Sequence, residues 1–165
     1  MEPTATGQPA QFDGLDARLV PLFAEHPRLG VLEAARRLGV ARGTVQARLD
    51  RLQRTGVIRG FGPEVDPAAL GYEVTAFVTL EIRQGSGHRR VAEHLARIPE
   101  VLELHTVTGQ GDLLCRIVAR SNADLQRVID EVVGDEDIRR ASTLIALSAP
   151  IPYRILPLVA RCAQA

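Results

Sequence analysis

The stretch GVLEAARRLGVARGTVQARLDRLQRTGVIRGF, residues 30 to 61, constrains the fold of this chain more than any other feature. Val31, Ala34, Ala35 and Leu38 recur at i, i+3, i+4 and i+7, which predicts a helix with one apolar edge over about Val31 to Leu38. Gly39 follows, and a glycine there tolerates a left-handed turn. A longer helical period runs from about Arg42 to Thr55, with Val45, Leu49 and Leu52 as its buried edge. Gly56 is placed to end that helix, and Val57-Ile58-Arg59-Gly60-Phe61 reads as a small β-type run. A short helix, a glycine turn, a longer helix and a strand entry make the layout of a winged helix-turn-helix. The second helix of such a unit enters the DNA major groove.

Charge supports that reading. Between Arg28 and Gly60 eight arginines stand against Glu33 and Asp50, a net of +6, while the whole chain carries 20 basic and 20 acidic residues. A positive segment with acidic flanks is suited to face phosphates, the remainder being kept off the polyanion. At 100° per residue, Thr44, Arg48, Arg51 and Thr55 form a stripe beside the buried edge, and Gly43, Ala47, Asp50 and Arg54 form another. Arg42, Gly43, Thr44 and Ala47 are expected to approach bases, the two small residues letting the backbone come close. Arg48, Arg51 and Arg54 are expected to grip phosphates, with Arg59 a further contact at the wing.

The surrounding sequence divides the chain. Residues 1–12 are polar and rich in Pro, Gly and Thr, so disorder is expected there. Leu15, Leu19, Leu22 and Phe23 predict a first helix over Leu15 to Glu25, with Asp13 as N-cap and Pro21 a blemish inside it. The helix-turn-helix unit then covers 13–60, and the Pro- and Gly-bearing 61–72 reads as a hinge or linker strand. From 73 to 149 the pattern changes. Val74, Ala76, Val78, Leu80 and Ile82 alternate as in a strand; His88 to Ile98 reads as a helix, Val101 to Thr108 and Asp112 to Ala119 as strands, Ala123 to Val133 as a helix and Ser142 to Ser148 as a last strand. This βαββαβ order is the ferredoxin-like plan, four antiparallel strands with two helices on one face, and the chain as a whole is of the α+β class. The other sheet face is expected to expose apolar side chains such as those of strand 74–82 and to pair with a second copy. Residues 150–165 form a tail that either packs on a neighbouring subunit or is partly ordered.

Other classes are disfavoured. At 45% hydrophobic residues the composition is that of a soluble globular protein, with neither a membrane span nor a signal peptide in sight, so a cytoplasmic location without membrane partners is expected. The two cysteines, Cys115 and Cys162, are isolated, and no metal cluster or cofactor motif is visible. Six aromatics and no tryptophan argue against a stacking platform for single-stranded nucleic acid.

The combination resembles the Lrp/AsnC, or feast/famine, family of bacterial transcription regulators over about residues 13 to 150. LDARLVPLFAEHPR is similar to the family's opening helix, LGVARGTVQARLDRLQRTGVIRGF to its recognition helix and wing entry, VDPAALGY to its hinge, and HTVTGQGDLLCRI to the glycine-to-aspartate loop of its sensor domain. Two residues depart from the pattern: Ala41 stands where Ser is usual, removing a helix cap, and Gly111 stands where a bulky aromatic usually precedes Asp112.

The resemblance implies a homo-oligomer, a dimer and an octamer or other ring of dimers, that binds double-stranded DNA. It also implies regulation of amino-acid or related metabolism through a small effector, an amino acid, held between dimers. Carried across by motif, the effector cleft would use Thr106, Thr108, Gly109, Gln110, Gly111 and Asp112, completed by Asn122, Thr143, Leu144 and Ile145. The amides of the glycine turn would hold a carboxylate, and Asp112 would hold an ammonium or brace the loop. From spacing alone, Gly109, Gly111 and Asp112 equally make a tight turn between strands.

Two other functions fit parts of the chain. An architectural protein that wraps DNA without sensing anything needs the same helix and assembly. Some relatives of this fold decarboxylate a tetrapyrrole with histidine and arginine, and His105 lies near the cleft. However, no histidine here has a nucleophile or metal-ligand partner in pattern, and an enzyme has little reason to keep +6 between Arg28 and Gly60, so no enzymatic activity is expected.

Overall fold

A computed structural model describes residues 12–83 and 88–162. Residues 1–11, nearly all of the segment expected to be disordered, lie outside the described residues, as do 84–87 and 163–165. The described residues form two compact units, one built from 12–63 together with 151–162, the other from 64–83 and 88–150.

The first unit is helical. α1 (Gly14–Glu25) starts from a reciprocal cap: Asp13 accepts from the amides of Leu15 and Asp16, and the Asp16 side chain accepts from the amide of Asp13. Pro21 is carried inside the helix without ending it. α2 (Val31–Leu38) closes on Gly39, whose φ of 70° is the left-handed value expected from the sequence. α3 (Arg42–Arg54) follows after two residues, and its N-cap Ala41 makes no side-chain cap bond. Leu19 and Phe23 of α1, Ala34, Ala35 and Leu38 of α2, and Val45, Leu49 and Leu52 of α3 form the core. Phe61 adds an edge-to-face contact with Phe23, centroids 5.9 Å apart. α6 (Leu156–Cys162) lies against α1.

The expected strand at 57–61 is absent. Those residues run as turn and irregular chain after Gly56 (φ 73°), tied back by the Ile58 amide to the Leu52 carbonyl at 3.0 Å. β-prone side chains make a strand only against a partner, and among the described residues this unit supplies none.

The second unit has the βαββαβ order read from the sequence: β1 (Val74–Ile82), α4 (His88–Leu95), β2 (Val101–Thr106), β3 (Leu113–Ala119), α5 (Asn122–Val132) and β4 (Ile138–Ala146). The four strands are all antiparallel in the order β2-β3-β1-β4. Val91 and Leu95 of α4 and Leu125, Val128 and Val132 of α5 pack on Ala76, Val78, Leu80 and Ile82 of β1 and on Leu113, Cys115, Ile117 and Ala119 of β3.

That register corrects one expectation. The alternating apolar set of strand 74–82 faces the helices, because a period of two sends the whole set to one side. The opposite side of β1 carries Thr75, Phe77, Thr79 and Glu81. The apolar side chains on the open side therefore include Phe77, its cross-strand partner Leu144, which is 67% exposed, and Leu114, set among charged residues such as Glu103 and Arg116, with Val118, buried, and Ala146 opposite Thr75.

Candidate functional site

Two places in the chain carry chemistry beyond packing, one in each unit. The first is α3. With Val45, Leu49 and Leu52 buried, helical geometry turns Gly43, Ala47, Asp50 and Arg54 directly outward, and all four are exposed. Arg42, Thr44 and, beyond the helix, Arg59 are also exposed. Gln46 and Gln53 belong to the same outer surface, Gln46 donating to the Asp50 carboxylate at 2.8 Å. Both were missed in the sequence, although the wheel that places Asp50 outward places them beside it.

Arg48 and Arg51 are different. Expected to grip phosphates, they are turned instead toward α1. Arg48 donates to Asp13 and lies 3.3 Å from Asp16, and Arg51 donates to Asp16. Asp16 is completely buried, while the two guanidinium side chains keep 29% and 27% of their exposure. The stripe beside the core edge is the flank that α1 covers, and α1 presents its capping carboxylates there. Hydrogen bonds from the Asp16 amide and then from Arg48 hold the Asp13 carboxyl below its ordinary value of 3.8.

The second place is the end of β1, between the β2–β3 loop and the start of β4. A cleft of about 730 Å³ is lined there by Glu81, Ile82, Arg83, Gly109, Gln110, Gly111, Asp112 and Arg139. Asp112 fixes the loop: its amide donates to the Leu80 carbonyl at 2.9 Å, its carboxylate accepts from the Ile82 amide at 2.8 Å, and its carbonyl accepts from the Val107 amide at 3.0 Å. Gly109 has a φ of 125°, open only to glycine without strain. Gly111 lies so close to β1 that a Cβ would sit 2.3 Å from the Thr79 methyl. The missing aromatic noted in the sequence thus lets the loop lie flat on the strand.

A second cleft, of about 530 Å³ on the open sheet face, joins Gln110 to Thr79, Glu81, Arg140, Ser142 and Leu144. Of the residues assigned to an effector cleft, the structure brings together Gly109, Gln110, Gly111 and Asp112 in the first cleft, and Gln110 with Leu144 in the second. Thr106, Thr108, Thr143 and Ile145 line neither. Asn122 opens α5, beyond the far end of β3 from the loop, about 20 Å away at the rise of a seven-residue strand, so within one chain it does not share the cleft. Glu81, Arg83 and Arg139 are lining residues that the sequence did not reveal, because they meet the loop only through strand register.

Comparison with known proteins agrees with both units. Residues 12–53 match the AsnC-type helix-turn-helix domain, and residues 75–156 match the Lrp/AsnC ligand binding domain. The chain is 37% identical over 145 residues to an uncharacterised HTH-type transcriptional regulator of Pyrococcus abyssi, covering 87% of this chain and 91% of that protein. It is 29% identical over 146 residues to the regulatory protein AsnC of Escherichia coli (88% and 96% covered). The solved structure of E. coli AsnC superposes with a TM-score of 0.81 at 28% identity, over 88% of this chain and 98% of that one. A feast or famine regulatory protein from M. tuberculosis, solved in complex with L-methionine, gives a TM-score of 0.75 at 26% identity over 85% and 95%. The archaeal relatives show that such proteins are not confined to bacteria. These relatives are regulators rather than enzymes, and among the described residues no helix is long and apolar enough to cross a membrane. The chain belongs to the Lrp/AsnC family of helix-turn-helix transcriptional regulators.

Proposed function

We propose that this regulator acts as a homo-oligomer whose DNA affinity is set by an amino acid bound at the Gly109–Asp112 loop. Arg42, Gly43, Thr44 and Ala47 face the bases, Arg54 and Arg59 meet phosphates, and Arg48 and Arg51 orient α3 from behind. Dimers form through the open sheet face around Phe77 and Leu144, and rings of dimers bring a second copy to the loop, where Thr106, Thr108, Asn122, Thr143 and Ile145 complete the effector site from neighbouring copies. Regulation of amino-acid metabolism follows from such an effector.

The loop cleft is the observation that carries this reading. It combines free amide-bearing glycines, a braced carboxylate and guanidinium groups in one half-open space. Those are the complements of an α-carboxylate and an α-ammonium. The L-methionine bound by the M. tuberculosis relative supports the same class of ligand. An effector that prefers one assembly geometry shifts DNA affinity by its differential binding.

The test is fluorescence anisotropy on a duplex selected from randomised sequences, titrated with each amino acid in turn. One or more should change DNA affinity about fivefold or more, the ordinary size of such coupling. If none does so at millimolar concentration, the sensing reading fails and a purely DNA-wrapping role takes its place.

A further inference from the structure

The loop is only one side of the cleft; the other side is cationic. β4 carries one residue more than β1 where they pair: Glu81 lies opposite Arg140 and Ile82 opposite Ile138, which leaves Arg139 as the extra residue of a bulge. A bulge re-aims the side chain at that position, and Arg139 lines the cleft. Arg83 lines it too, its backbone fixed where its amide donates to the Asp137 carbonyl at 2.9 Å.

The cleft holds two carboxylates, Glu81 and Asp112, and two guanidinium groups, Arg83 and Arg139, but they are not paired with one another. Asp112 accepts from the Ile82 amide, and Glu81, which lines the cleft, has its nearest cation in Arg140 at 3.8 Å, a residue that does not line it. Among the described residues neither Arg83 nor Arg139 has a carboxylate partner within 4.0 Å. Two uncommitted guanidinium groups therefore face the amides of a glycine loop. An amino acid with a neutral side chain brings one carboxylate and satisfies one of them. Its ammonium goes to the remaining lone pairs of Asp112 or Glu81. A ligand with a second carboxylate satisfies both arginines, each through the planar fork that suits this pairing.

We propose that the cleft selects an acidic amino acid as its effector, with Arg139 and Arg83 receiving the α- and side-chain carboxylates between them. This rests on the effector reading of the same cleft and narrows it from any amino acid to one with a carboxylate side chain.

Isothermal titration calorimetry on the full-length protein, with L-aspartate, L-glutamate, L-asparagine, L-glutamine, L-leucine and L-methionine as probes, tests it. One of the two acids should bind about tenfold more tightly than its own amide, the size of one charge-assisted pair in a partly solvated site. Arg139→Gln should bring that ratio to about twofold or less. Arg139 is exposed, so the variant should keep the circular dichroism spectrum and melting temperature of the parent. If the amide or a neutral amino acid binds as tightly as the acid, acidic selection is overturned and the effector cleft stands. If Arg139→Gln keeps the tenfold preference, the role given to Arg139 is overturned. If none of the six binds at millimolar concentration, acidic selection is overturned, and the effector reading falls with it if the remaining amino acids, titrated in the same way, do not bind either.

Discussion

Arg51 of the outer helix donates to Asp16 of the first helix, a carboxylate with no solvent exposure at all. Arg48 reaches the same carboxylate at 3.3 Å and Asp13 beside it. One buried acid thus fixes the roll of α3 about its own axis, and with it which side chains point outward. Replacing it by Asp16→Asn takes the Asp16 charge from both guanidinium groups and leaves Arg48 with Asp13. Because both are nearly one-third exposed and can rehydrate, the expected loss is about 2 kcal/mol, below the usual figure for breaking a fully buried pair. A thermal melt should show the midpoint falling by about 6 °C; an unchanged midpoint would mean that the cluster does not stabilise the unit.

The same geometry separates the arginines of α3 by role. Arg54→Ala should lower the slope of log affinity against log salt by about one, as expected for one lost phosphate contact. Arg51→Ala should leave that slope as it is and lower the melting temperature instead. A slope reduced by Arg51→Ala and not by Arg54→Ala would reverse the assignment.

Acid should loosen the helical unit in a defined window. The Asp16 amide, and next the Arg48 guanidinium, hold the Asp13 carboxyl below 3.8 in the folded chain. A depressed carboxyl contributes stability that is fully present above its unfolded value and is lost as pH falls through the folded one. The urea midpoint should therefore be level above about pH 5 and decline below about pH 4. Asp13→Asn should make that decline shallower; a decline identical to the parent's would remove Asp13 from the account.

The open sheet face should hold the dimer together. Phe77 and Leu144 are cross-strand partners there, and in a twofold interface a cation at that position would be desolvated close to its own copy. Phe77→Arg should halve the smallest oligomer mass seen by light scattering, with the circular dichroism spectrum retained. A dimer that survives the change must use another surface.

The two thiols should react very differently. Burial pushes the Cys115 thiol up to about 11, whereas Cys162 is exposed on α6. At pH 8 a disulfide reagent should label one thiol in the native protein and two in denaturant. The raised value also means that the Cys115 contribution to stability is intact below the unfolded thiol's pKa of about 9 and fades as pH climbs toward 11.

Local chemistry was legible in the sequence. Gly39 announced a left-handed turn, Asp13 a cap, and the 3.6 and 2 periods gave the helices and most of the strands. Relations between distant residues were not. Asp16 and Arg51 are 35 positions apart, and nothing in either segment marks the other as its partner. The sequence pattern starts β4 at Ser142 rather than Ile138, because Arg139 and Arg140 give the strand a charged opening with no apolar alternation. Such charges are common on an edge strand, which is where β4 lies. Arg139 was invisible for the same reason, since a bulge exists only relative to the strand it pairs with. The wing strand at Val57 to Phe61 is expected from β propensity and from the helix-turn-helix layout, a weak guide when the described residues of the unit offer no partner strand.

Gly111 limits how this regulator can be retuned. With the Thr79 methyl 2.3 Å and the Leu80 carbonyl oxygen 3.1 Å from where a Cβ would sit, even alanine requires Thr79 or the turn to shift. That wall of the cleft is tightly packed against β1. The opposite wall, made by exposed side chains at the mouth of β4, can change length and charge without disturbing the backbone. Drift toward a new signal, in nature or in the laboratory, has an easy route only on that side.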